Sequence, residues 1–122
     1  MPQFTLSPAA EEDVTSILEW THEHFGEPAR RRYEALLVQA IVDLAEDPQR
    51  PGSTNREELA DGARSYHLFH SRRRIDKSIG RVRRPRHFLI YRSVAKNCIE
   101  IGRVLHDSMD LPKHLPPEYR AF

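Results

Sequence analysis

The sequence is short of the residues on which several classes of protein depend. Cys98 is the single cysteine among 122 residues, so no disulfide can form within the chain, and a reducing compartment is expected. No stretch approaches the roughly 18 consecutive apolar residues of a membrane-spanning helix, and the first residues have neither a basic start nor an apolar run. We therefore expect no membrane segment and no signal peptide. Because glycine-rich phosphate loops, nucleophile elbows and paired cysteine motifs are also missing, we predict no cofactor.

Charged residues, in contrast, are abundant and unevenly distributed. They make up 30% of the chain against 39% hydrophobic residues, which is typical of one polar globular domain over residues 1–122. The net charge of +1 hides an asymmetry: residues 1–63 carry 5 basic and 13 acidic side chains, a net −8, whereas residues 64–92 carry 10 and 1, a net +9. This block predicts either an acidic or polyanionic partner, or a solvated basic face balanced by the acidic half of the same protein.

The first half of the chain predicts a strand followed by two helices. Residues 3–6 are mildly β-prone, and Ser7 with Pro8 suits the cap and first position of a helix. Apolar residues then recur at helical spacing in two stripes, interrupted at Gly26 and ended by Asp47 and a proline. The stripes are Val14, Ile17, Leu18, Thr21 and Phe25, then Tyr33, Leu36, Leu37, Ala40, Ile41 and Leu44. The short link predicts an antiparallel helical hairpin.

The second half of the chain predicts an antiparallel sheet. Residues 48–62 are expected to form a loop, because prolines, glycines and small polar residues cluster there. Three segments with β-type patterns follow, at 64–71, 87–92 and 98–106. Residues 93–97 are the expected hairpin turn, and the arginine-rich residues 72–85 are expected to form a long, mobile hairpin arm. The predicted order is β-α-α-β-β-β, an α+β fold with a helical hairpin packed on a small antiparallel sheet and a short tail at 107–122.

Three segments of this sequence resemble a family of bacterial toxins. They are LSPAAEEDVTSILEW (6–20), RHFLIYR (86–92) and RVLHDSMDLPKHL (103–115). Their order behind a helical hairpin resembles the ParE/RelE family, and the last segment resembles its ParE branch. The resemblance covers nearly the whole chain. The arm at 72–85 is longer than the tight hairpin typical of that family.

The resemblance implies a small cytoplasmic toxin encoded beside an antitoxin. ParE-type toxins act on DNA gyrase and cause growth arrest, whereas RelE-type toxins cut mRNA in the ribosomal A site. We favour a gyrase-binding inhibitor that has no catalytic activity and is neutralised by a ParD-like antitoxin. The alternatives are a ribosome-dependent endoribonuclease and a toxin-like protein that only pairs with its antitoxin. The basic residues 72–85 add a possible nucleic-acid contact.

The resemblance also implies two sets of binding residues. The target-binding set is Arg103, His106, Met109, Asp110 and His114. The antitoxin-binding set is Trp20, Tyr33, Leu37, Arg86 and Arg92. Three members of the first set are four residues apart and carry metal-ligating side chains, but Pro112 interrupts the helix that would align them, so we predict no metal site. A third interpretation is that Leu105, Met109 and Leu111 simply pack the tail against the sheet.

If the protein is a ribonuclease, the candidate catalytic residues are Arg64, Arg86, His87, Tyr91 and Arg92. Metal-free RNA cleavage needs a general base, a general acid and a cation for the developing charge, which these residue types can supply. Strand alternation puts Arg86 and Arg92 on the face opposite His87 and Tyr91, so they form no tidy catalytic set. The structural alternative is that Tyr91 packs in the core while the two arginines form salt bridges.

Overall fold

The computed structural model describes residues 2–108, which begin with one strand and two helices. Strand β1 spans Gln3–Leu6, helix α1 spans Pro8–Phe25 and helix α2 spans Glu27–Glu46. Gly26 alone separates the helices. Its φ of 88° is a left-handed conformation that residues with a Cβ rarely adopt, so glycine allows the abrupt change of direction. The two predicted helices are confirmed. No helix in this part of the chain is long and apolar enough to cross a membrane.

A mixed five-stranded sheet packs against the helices, in the order β1-β5-β4-β3-β2. The remaining strands are β2 (Thr54–Asn55), β3 (Arg64–His67), β4 (His87–Ala95) and β5 (Cys98–His106). Strands β2 to β5 pair antiparallel, whereas β1 pairs in parallel with β5. The predicted α+β architecture is confirmed, with two corrections. The sheet is mixed because β1 joins it in parallel, and two residues of the expected loop 48–62 form β2.

Side chains of α1 cover the edge of β5 beyond the end of β1. Ser7 caps α1, and its hydroxyl also donates to the carbonyl of Gly102, 2.7 Å away, at an irregularity in β5. The Asp13 carboxylate accepts from the backbone N–H of Val104 at 2.9 Å and from the Arg103 guanidinium at 2.7 and 2.9 Å. These contacts satisfy backbone groups that would otherwise lie open at a strand edge.

The main core lies between the helices and one face of the sheet. Its fully buried members include Leu36, Leu44, Leu89, Tyr91 and Ile101. A smaller cluster covers the opposite face and consists of Ala60, Ala63, Ile90 and Leu105. Successive residues of β4 therefore alternate between the two clusters, as the sequence pattern predicts.

The expected basic arm is anchored to the domain at its start. The strand predicted at 64–71 ends at His67, and Leu68–Arg74 form a 3-10 helix that packs on α2. Ile75 is buried in the main core, and Arg81 donates to the carbonyl of Arg73 at 3.2 Å. The segment is thus part of the folded surface rather than a projecting hairpin arm.

Candidate functional site

A groove runs between the two helices and the basic segment that precedes β4. Its volume is about 910 Å³. Apolar side chains from both helices and the segment line one part of it, including Ile17, Trp20, Phe25 and Val82. Trp20 is 54% exposed and Phe25 is 67% exposed, although both are large apolar side chains. Exposed aromatic side chains in a concave surface are typical of binding sites.

The rest of the groove is strongly basic. No aspartate or glutamate within residues 2–108 lines it. Its basic lining consists of five arginines and two histidines: Arg32, Arg81, Arg83, Arg84, Arg86, His87 and His106. The stem of Arg32 lies so close to Gly80 that a Cβ there would come within 2.8 Å of it, which sets the basic segment against α2. A groove with one apolar part and one cationic part favours an amphipathic, acidic ligand.

A hydrogen-bonded network closes the polar end of the groove. The Tyr33 hydroxyl accepts from the backbone N–H of Arg86 at 3.1 Å and lies 2.6 Å from Nδ1 of His87. The Tyr33 hydroxyl thus links α2 to the two residues at the start of β4, and the tautomer of His87 sets which atom donates in the contact with Nδ1. His106 lies directly across the β4–β5 hairpin, with ring centroids 5.4 Å apart.

Burial controls the protonation of this network. Loss of water around the ring and, to a smaller extent, the neighbouring His106 lower the pKa of His87 to about 4. Burial likewise raises the pKa of Tyr33 to about 12. Both side chains are therefore neutral near pH 7, whereas the guanidinium of Arg86 at this end of the groove is charged.

Asp107 joins the ends of three strands beside the groove. Its carboxylate accepts from Nε of Arg86 at 3.1 Å and from Nη2 at 2.9 Å, and it lies 3.2 Å from Nε2 of His67. Its backbone N–H donates to the carbonyl of Arg86 at 2.8 Å. The hydrogen bonds from the guanidinium lower the pKa of Asp107 to about 2, so this carboxylate is ionised at neutral pH.

The residues predicted to contact the antitoxin fall into different environments. Trp20 and Arg86 line the groove and are accessible, and Tyr33 forms part of its floor. Leu37 is buried in the main core with 2% of its surface exposed. Arg92 lies on β4 outside the groove, 3.6 Å from the carboxylate of Glu100.

The five residues considered for RNA cleavage lie in three separate places and form no single site. Arg86 and His87 lie at the groove, whereas Tyr91 is fully buried and its hydroxyl donates to the carbonyl of Pro48 at 2.6 Å. The Tyr91 hydroxyl also contacts Ser53, which in turn accepts from Nε of Arg64. Arg92, as above, lies elsewhere on β4. This arrangement is the packing and salt-bridge alternative that the sequence left open.

The predicted target-binding residues are only partly within the described chain. Arg103 is held by Asp13 in a two-pronged ion pair, which raises the pKa of its guanidinium. His106 lines the groove, and its Nδ1 lies 2.7 Å from the hydroxyl of Ser108. Met109, Asp110 and His114 lie outside the described residues. Among residues 2–108, no group of three or more metal-ligating side chains is suitably placed for an ion.

Sequence reasoning assigned no role to Asp107 or to the groove arginines Arg83 and Arg84, beyond their basic segment. The sequence did contain a signal for Asp107. In a hairpin that turns at residues 96 and 97, Arg86 before β4 lies opposite Asp107 after β5, so an ion pair between them could have been predicted. The segment 75–86 has no such pattern, so its course over α2 could not be read from spacing.

Comparison with known proteins identifies the family. The chain matches the model for the ParE toxin of the type II toxin–antitoxin system parDE over residues 4–111. This chain belongs to the ParE toxin family. It is therefore a toxin of the type II class, whose members work with a cognate antitoxin. No curated protein matches the sequence significantly. In this ParE-family toxin, the matched range includes every residue that lines the groove.

Proposed function

We propose that this ParE-family toxin inhibits DNA gyrase by binding it, without chemistry of its own, and is neutralised by a ParD-like antitoxin that occupies the groove. The composition of the groove supports this antitoxin site. Its lining has five arginines, two histidines and exposed aromatic side chains, and no carboxylate from residues 2–108. An acidic amphipathic segment of the antitoxin would bury its apolar side on Trp20 and Phe25 and pair its carboxylates with the arginines.

The apolar part of the groove supports a peptide ligand over a nucleic acid. Trp20 stacks on His24 with ring centroids 4.2 Å apart and contacts Phe25 edge-on at 5.7 Å, so these rings already have intramolecular partners. Single-stranded nucleic acids instead need aromatic faces on which successive bases stack. An amphipathic helix needs only a continuous apolar strip, which Ile17 and Val82 extend.

The gyrase target is proposed from the family and from the environment of the ribonuclease candidates. Tyr91 has no exposed surface, and Arg64 is engaged with Ser53 rather than lining the groove. General acid–base catalysis requires side chains within hydrogen-bond reach of one reacting phosphate. These five residues are divided among three places, and this division favours inhibition by binding.

A supercoiling assay tests the proposal. Purified gyrase acts on relaxed plasmid in the presence of ATP, increasing amounts of the toxin are added, and the cognate antitoxin is then added in excess. We expect supercoiling to stop, cleaved plasmid to accumulate, and the antitoxin to reverse both effects. If supercoiling continues while expression of the toxin arrests growth, the gyrase target is wrong and cleavage of ribosome-bound mRNA must be measured. If expression is harmless without antitoxin, the protein is only an antitoxin partner.

The antitoxin site has its own test. Trp20→Ala should weaken antitoxin binding by at least about tenfold, because a buried tryptophan at an interface commonly contributes 2 kcal/mol or more. Val38→Ala is the matched control, since Val38 is 55% exposed on α2 and does not line the groove. Equal affinities of the two variants would place the antitoxin elsewhere.

A further inference from the structure

Arg86 belongs to two structural features at once. Its side chain is 59% exposed and lines the polar end of the groove, yet its guanidinium is already paired with Asp107 in a two-pronged contact of 2.9 and 3.1 Å. Among residues 2–108, Asp107 is the carboxylate with an ion pair to a groove-lining arginine. The protein thus supplies from its own chain the type of group that the groove is suited to bind.

The contact between Arg86 and Asp107 is suited to replacement of the Asp107 carboxylate by another carboxylate. Exposed ion pairs contribute little to stability, because water competes for both partners. Asp107 would keep other contacts if the guanidinium turned away, since Nε2 of His67 lies 3.2 Å from its carboxylate and its backbone N–H bonds the carbonyl of Arg86. Arginine recognises carboxylates through the same planar fork, whether they belong to its own chain or to another.

We propose that Arg86 is a carboxylate-binding subsite of the groove, that Asp107 occupies it in the isolated toxin, and that a carboxylate of an acidic peptide partner displaces Asp107. This inference rests on the proposed role of the groove as a docking site for an acidic antitoxin segment. Asp107 comes two residues before Met109, the first of the tail residues predicted to bind the target. The exchange would therefore link occupation of the groove to the start of the target-binding segment, and the coupling must act equally in both directions.

The inference predicts that removal of an ionised group tightens binding. Asp107→Asn deletes the internal competitor and leaves Arg86 in place, so the affinity for an acidic partner should rise by about two- to fivefold, the range expected from loss of an exposed ion pair. A purely structural role of Asp107 predicts the opposite, because disturbing the strand ends would weaken the groove. Arg86→Gln should weaken binding, and adding Asp107→Asn to it should change nothing further.

The binding measurement uses two synthetic amphipathic helical peptides and the purified cognate antitoxin. One peptide has leucine on its apolar face and glutamate on its polar face, and the other has glutamine in place of glutamate. Trp20 is the single tryptophan of the chain and lines the groove, so its fluorescence reports binding directly. Asp76→Asn is the matched control, since it removes one carboxylate from the basic segment 72–85 at a position that does not line the groove. It separates the specific exchange from a general change in net charge.

The outcomes distinguish this inference from the function on which it rests. Tighter binding of the glutamate peptide by Asp107→Asn, with no gain for Asp76→Asn or for the glutamine peptide, would support the exchange. Equal or weaker binding by Asp107→Asn would overturn it while leaving the docking groove intact. If neither the peptides nor the antitoxin changed the Trp20 fluorescence or the NMR signal of the Arg86 Nε–H group in the unaltered toxin, the docking groove itself would be overturned.

Discussion

The carboxylate of Asp43 and the guanidinium of Arg74 meet 2.9 Å apart, and the Asp43 side chain is completely excluded from solvent. Three further groups reach the same carboxylate: the Ser71 hydroxyl at 2.7 Å, the Gln39 amide at 2.8 Å and the Arg50 guanidinium at 3.1 Å. Helix α2, the loop after it and the 3-10 helix thus share one buried anion. Buried charges persist only where they are paired and hydrogen-bonded in this way.

Asp43→Asn should therefore lower the free energy of unfolding by about 2 to 3 kcal/mol. The loss is expected to lie below that of a wholly buried pair, because the Arg74 side chain is 52% exposed and can turn to water. Urea denaturation followed by circular dichroism measures it. Glu58→Gln breaks the exposed pair with Arg56 and should cost less than about 0.5 kcal/mol. Similar losses in both variants would mean that Asp43 does not anchor the basic segment.

His87 should make the stability of the toxin depend on pH. Its pKa is lowered to about 4 from the ordinary histidine value of 6.5, so between these values the unfolded chain binds more protons than the folded one. The contribution of neutral His87 is fully present above pH 6.5 and is lost as the pH falls toward 4, with a slope of at most about 1.4 kcal/mol per pH unit.

Chemical denaturation at a series of pH values between 4 and 7 checks this dependence. His87→Gln keeps a hydrogen-bonding partner for the Tyr33 hydroxyl but removes the titrating ring, so its profile should be flatter over this range. His22→Gln is the comparison variant, because it removes an imidazole on α1 that is 55% exposed and lies away from the Tyr33 hydroxyl. A wild-type slope in His87→Gln would show that other groups cause the acid sensitivity.

How far the sequence predicts this fold depends on whether the signal is local. The stripe that includes Leu36 and Leu44 predicted α2 because helical spacing is encoded residue by residue. The parallel pairing of β1 with β5 was not predicted, since strand pairing depends on where the chain returns after two helices. β2 was missed for a different reason: Thr54 and Asn55 are polar, and only their pairing with β3 makes them a strand.

The candidate site was less predictable than the fold. Trp20 and Arg86 were expected to bind a partner, and both line the groove. Leu37 was expected to do the same but is buried in the core, and its spacing on α2 could not distinguish a core residue from a binding residue. Asp43 comes seven residues after Leu36 and directly before Leu44, so it could have been noticed as a polar residue on the buried face of α2. Its partner Arg74 could not be singled out, because it follows two other arginines and only tertiary packing determines which of the three side chains reaches Asp43.

The basic segment divides into arginines that line the groove and arginines that do not. Arg83→Ser with Arg84→Ser should weaken antitoxin binding by about fivefold and reduce its dependence on salt, because two groove cations are lost. Arg72→Ser with Arg73→Ser removes the same charge from residues that do not line the groove, and should change neither quantity by much. Calorimetric titration at several salt concentrations measures both. Equal effects of the two pairs would mean that only the net charge of the segment matters.

Deletion of residues 109–122 should separate inhibition from neutralisation. The core, the groove and the contact between Arg86 and Asp107 all lie within residues 2–108, so the shortened protein should fold and still bind antitoxin. The deletion removes Met109, Asp110 and His114, and we expect gyrase inhibition to be abolished. A variant in which these positions are replaced by glycine and serine is the length-matched control and should also be inactive. Full inhibition by the shortened protein would move the target-binding surface onto the folded domain, where Arg103 and His106 would be the first residues to substitute.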